Sequence, residues 1–252
     1  ASRGIADSFT GCAGQRCMAA SVLLAVGDCQ PILDEVVKKA GAIQLGQEMG
    51  AIITRDSQDR LTTAIARAEQ EGAKILLDGR KAAKPSGMEN GNWLAPTILD
   101  QVKAGSQAAC DELFGPVLSI IRVKNLSEAL AVENANEFGN AASVFTTTGA
   151  VAERVAQEAR AGMVGINIGV PVPREPFSFG GIQEFDLQRI EAEVLNESIY
   201  LDVFAGSDLV LKTEIEPIRS ALQKVAQLEG ITYQWKPKTA PDGTDSRRRH
   251  AG

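Results

Sequence analysis

Short apolar runs of strand length alternate with amphipathic runs of helix length from Ser21 to about Asn167. This alternation predicts an α/β fold, a mostly parallel sheet with helices on both faces. Two further observations support it. An apolar fraction of 44% and a charged fraction of 23% describe a globular chain with a sizeable core, and 252 residues are enough for one large α/β domain with a small appendage. At Val170 the pattern changes: Pro171, Pro173 and Pro176 crowd one stretch that can neither continue a helix nor sit in a central strand. An ordered extended loop is expected there, followed by a small α+β tail.

In chain order, the residues from Ala1 read as a helix already under way, which is expected of a fragment or a processed piece of a longer chain. Strands are expected at Ser21–Val26, Lys74–Leu77, Trp93–Leu99, Val117–Val123, Ala142–Thr146 and Met163–Ile168, several of them rich in Val and Ile. Helices are expected at Pro31–Ala40, Ser57–Gln70, Glu128–Glu137 and Ala150–Arg160. In the second of these Leu61, Ile65 and Ala68 recur at helical spacing, with Asp56 as the expected cap and Gly72 as the expected stop. Beyond the proline stretch, Asp186–Glu197 reads as a charged helix and Ser207–Trp235 as a small separate unit. No internal repeat of solenoid period is present.

Charge and composition exclude several functions. A net charge of −6 argues against a broad nucleic-acid surface, which needs clustered Lys and Arg. The basic cluster Arg247-Arg248-Arg249-His250 sits at the chain end beside Pro241, Asp242 and Gly243 and reads as a frayed tail. No apolar run approaches the roughly 20 residues that cross a bilayer, and no signal peptide is evident, so no membrane partner is expected. Cys12, Cys17, Cys29 and Cys110 follow no secreted-scaffold spacing, which favours a reducing cytosol or organelle matrix. The single histidine, His250, lies in the tail, so neither a His-based metal site nor a Cys-His pair is expected.

Thr10-Gly11-Cys12-Ala13-Gly14-Gln15-Arg16-Cys17 is the most informative string. Small residues at 11, 13 and 14 let the backbone pass close to a bound substrate, and a cysteine at the end of such a turn can present a thiolate to it. Composition alone serves equally well for a buried structural cysteine beside a packing glycine.

The string has company. Gly14-Gln15-Arg16-Cys17-Met18 resembles the G-Q-x-C motif of the aldehyde dehydrogenase family, in the form found in its acyl-CoA-forming methylmalonate-semialdehyde type. Glu112-Leu113-Phe114-Gly115-Pro116-Val117 resembles that family's E-x-F-G-P-V segment. Asn134–Thr147, Gly165-Ile166-Asn167 and Pro176-Phe177-Ser178-Phe179-Gly180-Gly181 follow in the family's order, and Lys74–Arg80 is similar too. The resemblance covers residues 1 to about 183.

It implies a family catalytic domain over 1–183 with these roles. Cys17 attacks an aldehyde carbonyl, and its backbone N–H forms part of the oxyanion hole. Arg16 takes the carboxylate of a semialdehyde acid, since a guanidinium fork suits a carboxylate; its alternative is a surface or subunit-interface salt bridge. Glu112 holds the nicotinamide ribose of NAD with Phe114 packed nearby, coenzyme A accepts the acyl group, and Phe177 and Phe179 line the substrate funnel or simply anchor packing. Cys12, Cys29 and Cys110 are expected to be inert. The resemblance also implies a homo-oligomer in the cytoplasm or, in a eukaryote, the mitochondrial matrix. It places the nucleotide-binding half before the cysteine, outside this chain, and no glycine-rich strand-helix turn replaces it. The chain alone is therefore expected to be inactive.

After Gly181 the resemblance stops. Residues 184–206 read as a linker or helix and 237–252 as a disordered tail. Between them, Ser207-Asp208-Leu209-Val210-Leu211-Lys212-Thr213 and the residues to 236 resemble the start of the endosialidase-type intramolecular chaperone domain of phage tail proteins. That likeness implies Ser207 as a self-cleaving nucleophile and Lys212 as its base. It makes a self-cleaving assembly module of a viral tail protein the alternative function.

Overall fold

The structure, a computed structural model, describes residues 1–170 and 182–183. Its central sheet runs in the order β1 (Val22–Val26), β4 (Val117–Val123), β3 (Thr97–Asp100), β2 (Lys74–Leu77). Both β1 and β3 pair parallel with β4, and β2 closes the edge antiparallel to β3. The sheet is mostly parallel, as the alternation predicts, with one reversed edge.

A parallel sheet must be covered on both faces, and β4 shows how one strand serves two cores. Leu118 and Ile120 join Ala25 and Ile98 in a core completed by α1 (Ser2–Thr10) and α2 (Gln30–Gly41) through Ile5, Phe9, Leu33 and Val36. The alternate residues Val117, Ile121 and Val123 join Leu99 in the other core. Leu61, Ile65 and Ala68 of α3 (Arg55–Gln70) complete that one, with residues of α4 (Gln107–Cys110) and α5 (Leu126–Asn134). Phe9 and Leu61 are fully buried, and each such side chain stabilises the fold by about 2 kcal/mol through area removed from water. Ser119, also fully buried, satisfies its hydroxyl by donating to Ala108 O at 2.7 Å, which fastens α4 onto β4.

A second parallel pair, β6 (Ala141–Val144) and β7 (Met163–Ile166), is connected through α6 (Gly149–Glu158). Asn167 extends it by one rung. Its backbone is left-handed (φ 57°), and its side-chain amide exchanges two 2.9 Å bonds with the Thr146 backbone. The short β5 (Phe138–Gly139) pairs antiparallel with β8 (Ile182–Gln183).

Element boundaries moved where side chains claimed backbone groups. The third helix begins at Arg55 with Thr54, not Asp56, as its cap: Thr54 Oγ1 accepts from Ser57 N at 3.1 Å. Gly72 stops it as expected, with φ 104° and Ala73 N donating to Ala68 O at 2.9 Å. The strand expected from Trp93 begins only at Thr97, because Pro96 has no N–H and the Trp93 and Ala95 N–H groups are spent on Gly91 O and Gly79 O. The helix expected to reach Glu137 ends at Asn134, whose side chain turns to Glu158 O and Arg160 N. The expected helix at Asp186–Glu197 and the unit at Ser207–Trp235 lie outside the described residues.

Two acid-base clusters fasten strand ends of the sheet, one between its two inner strands and one just after the edge strand β2. Buried Asp100 on β3 faces Arg122 on β4. Burial pushes its carboxyl up, but the Arg122 bonds, at 2.8 and 2.9 Å, and the Gln101 N–H outweigh that and hold it below the usual range. Asp78 accepts from Arg80 Nε at 2.8 Å and Nη2 at 2.9 Å, and these bonds chiefly lower its carboxyl from 3.8 to about 2. A carboxylate with a depressed folded-state value contributes stability that is complete above its unfolded value and is lost as pH falls through the folded one. Asp78→Asn is therefore expected to lower the urea midpoint at neutral pH. The difference should shrink as pH falls from about 4 through about 2. An equal difference at both ends of that range would contradict the role.

Candidate active site

The cysteine loop leaves the sheet-covering helix through a turn that is hard to build. After α1 ends at Thr10, Cys12 (φ 54°), Ala13 (φ 55°) and Gly14 (φ 68°) are left-handed in succession. Two of these are not glycine, and each such residue costs roughly 1–2 kcal/mol. Strain of this kind persists only where the surroundings over-determine it, and here they do. Ala13 is 1% exposed within a core, and Gln15 N donates to Cys12 O at 3.1 Å.

The Gln15 side chain bridges to the irregular segment before α3. Its Oε1 accepts from Ile53 N at 2.9 Å and its Nε2 donates to Ala51 O at 3.3 Å. Arg16 turns back onto α1: Nη2 donates to Ser8 O at 3.1 Å, and the guanidinium lies where a side chain on Gly11 would stand. Arg16 Nε is buried with no hydrogen-bond partner among the described residues. The loop delivers Cys17 exposed to solvent, its carbonyl held by Asn140 Nδ2 at 3.2 Å.

The segment Asp111–Pro116 packs against this loop backbone to backbone. A Cβ on Gly14 would collide with Gly115 O and stand 2.8 Å from Pro116 N, so only glycine lets the two segments meet. Phe114, one residue earlier, is left-handed (φ 53°) and 41% exposed. Glu112 is exposed, and its carbonyl accepts from Arg60 Nη1 at 3.4 Å. The fold thus brings Cys17, Arg16, Glu112 and Phe114 onto two adjoining segments that are distant in sequence. Phe177, Phe179, Ser207 and Lys212 lie outside the described residues.

Of the other cysteines, Cys29 and Cys110 are half-buried, and burial raises the Cys29 thiol. Cys12 is exposed, a second accessible thiol in the same loop. Among the described residues no group of His, Cys, Asp and Glu could hold a metal, and no helix is long and apolar enough to cross a membrane. Sequence reasoning gave no role to Gln15 or Asn140. Gln15 lies inside the quoted motif and Asn140 inside the quoted Asn134–Thr147 segment, so a signal existed for both; the link from Asn140 to Cys17 is made only by the fold.

A mostly parallel sheet covered by helices, with an exposed cysteine on a left-handed loop set beside an exposed glutamate and an exposed aromatic residue, defines an α/β domain with a candidate site. The chain belongs to the aldehyde dehydrogenase family, an oxidoreductase family whose sequence profile matches residues 1–196. A second profile, described as chaperone of endosialidase, matches residues 207–252.

Among relatives, the rat (Rattus norvegicus) mitochondrial, acylating methylmalonate-semialdehyde/malonate-semialdehyde dehydrogenase is 41% identical over 236 residues, covering 91% of this chain and 39% of the relative. The solved methylmalonate-semialdehyde dehydrogenase of Oceanimonas doudoroffii superposes with a TM-score of 0.69 at 34% identity, over 73% of this chain and 39% of that one. A Thermus 1-pyrroline-5-carboxylate dehydrogenase with bound NAD gives 0.66 at 28%, over 72% and 36%. The chain thus spans about two-fifths of the length of the relatives it matches.

Proposed function

We propose that this chain carries the cysteine-bearing half of an NAD-dependent, coenzyme A-acylating dehydrogenase of a small semialdehyde acid, methylmalonate or malonate semialdehyde. The observation that carries the reading is the backbone contact of Gly14 with Gly115, which sets the cysteine loop against the Glu112–Phe114 segment. The similarity to acylating semialdehyde dehydrogenases supports the substrate class.

In this reading the Cys17 thiolate adds to the aldehyde carbon. The oxygen gains the charge, and the Cys17 backbone N–H donates to it. Arg16 takes the carboxylate at the other end of the substrate, its guanidinium turning out from its bond to Ser8 O to do so. Two residues fit NAD: an exposed carboxylate, Glu112, for ribose hydroxyls, and an exposed ring, Phe114, for the nicotinamide side. When bound, NAD supplies the hydride acceptor. The coenzyme A thiolate then attacks the thioester on Cys17 sulfur, takes the acyl group and releases Cys17 as thiolate. A homo-oligomer in the cytoplasm or mitochondrial matrix belongs to the same proposal.

The isolated chain is expected to reduce no NAD with methylmalonate semialdehyde and coenzyme A, since Glu112 supplies only a fraction of a dinucleotide site. Adding the upstream half of a relative is expected to restore the reaction. Glu112→Gln should then slow it about tenfold, the loss of a charged hydrogen bond. Micromolar NAD binding by the chain alone, seen by calorimetry, would overturn this division of roles. The profile match at 207–252 favours a second reading, a self-cleaving chaperone segment using Ser207 and Lys212. A fragment that begins at Ser207 in the wild-type chain, and disappears in Ser207→Ala, would establish it.

A further inference from the structure

We infer that Asn140 is a positioning residue for the nucleophile: its side-chain amide clamps the Cys17 peptide and holds the thiol in its reactive orientation. The inference rests on the reading of Cys17 as nucleophile and adds a residue to it.

Asn140 lies at the junction of β5 and β6, 123 residues from Cys17 in sequence, and its Nδ2 donates to Cys17 O at 3.2 Å. The donor is delivered from fixed backbone. Asn140 O accepts from Met163 N at 3.2 Å, the preceding Gly139 O accepts from Gly162 N at 2.8 Å, and the following Ala141 pairs with Met163 in the β6–β7 ladder. The rest of the loop is held from other sides: Gln15 by the Ala51–Ile53 segment and Arg16 by Ser8. Neither bond reaches the Cys17–Met18 peptide. Among the described residues, the Asn140 amide is the donor that the structure gives to the Cys17 carbonyl.

This matters because the left-handed turn just before it stores strain. Such strain persists only while the surroundings hold it, and the Cys17 peptide is the part of the loop that carries the exposed thiol. Without the amide, the Cys17–Met18 peptide is held only indirectly, by the turn that Ala19 N closes onto Arg16 O at 3.1 Å, by the Ala20 N bond to Ser8 O at 3.0 Å and by buried Met18. The thiol then samples orientations that do not face an incoming carbonyl. A reacting group must be held near its attack geometry, and a small displacement is felt in rate before it is felt in stability. Cys12, exposed in the same loop but not held by Asn140, is an internal reference for access and loop opening.

The test uses the full chain. The rates at which iodoacetamide alkylates Cys17 and Cys12 are measured by peptide mapping in wild type, Asn140→Leu, Asn140→Ala and Asn140→Gln. Leucine keeps the size and neutrality of asparagine but removes the donor; glutamine restores a carboxamide. The Cys17-to-Cys12 rate ratio is expected to fall about fivefold in Asn140→Leu and Asn140→Ala, the equivalent of one lost hydrogen bond. It should recover in Asn140→Gln at nearly unchanged melting temperature. If wild-type Cys17 outpaces Cys12 but the ratio is the same in all variants, the clamp is wrong while the nucleophile stands. If Cys17 and Cys12 react alike in the wild type, the nucleophile reading fails and the clamp falls with it. A ratio that falls in Asn140→Leu only together with the melting temperature, and does not recover in Asn140→Gln, shows a packing residue and also overturns the clamp.

Discussion

A Cys17→Ser chain, combined with the upstream half of a relative, is expected to lose semialdehyde oxidation by on the order of 10⁴-fold, with its melting temperature unchanged. A thiol is nucleophilic near neutral pH because part of it is thiolate, whereas a serine hydroxyl needs a base to remove its proton. The described part of the chain contains no histidine to do so. Cys17 is exposed at the end of its loop rather than packed in either core, so the substitution removes chemistry and leaves packing intact. Stopped-flow measurement of NADH formation at matched concentrations of folded protein checks this. A loss of less than tenfold would mean that another group, with Cys12 the first suspect, carries the acyl transfer.

Gly14→Ala is expected to destabilise the chain by about 3 kcal/mol or more, and to do so at a position with almost no side-chain contacts to lose. Two costs coincide there. Alanine in a left-handed conformation is strained by roughly 1–2 kcal/mol, and its Cβ would collide with Gly115 O, which is backbone and cannot rotate away. The two segments must separate. That exposes Ala13, which is buried against them, and strains Gly115, whose own substitution would drive a Cβ to 2.5 Å from the buried Leu61 methyls. Chemical denaturation of Gly14→Ala beside Gly27→Ala provides the contrast. Gly27 is also left-handed (φ 63°) but has open space around it, so only the conformational cost should appear. Equal losses in the two variants would show that the segments do not meet as described.

The two predictions mark what the sequence could reveal. The fold was legible because β4, buried on both faces, reads as an almost continuous apolar run of strand length, and α3 repeats at helical spacing. The antiparallel direction of β2 was not legible, since Lys74–Leu77 looks the same whichever way it runs. The four-residue α4 is too short to show a period. In the site, the motif around Cys17 was legible through its glycines and through the resemblance it carries. The left-handed turn was half-legible: Gly14 announces it, but Cys12 and Ala13 do not, because their strain is imposed by packing rather than chosen by the residues. The Asn140–Cys17 bond spans 123 residues and depends on a strand junction, so no local pattern announced it.

Whether Cys17 is the group that receives the acyl chain can be measured without any cofactor. The intact chain is incubated with p-nitrophenyl acetate at neutral pH, and the acetyl group is located by mass spectrometry of peptides. One acetyl group is expected on Cys17, formed in a burst that matches the release of p-nitrophenol and absent from Cys17→Ser. Acetyl groups spread evenly over Cys12, Cys29, Cys110 and surface lysines, with no burst and no change in Cys17→Ser, would contradict it.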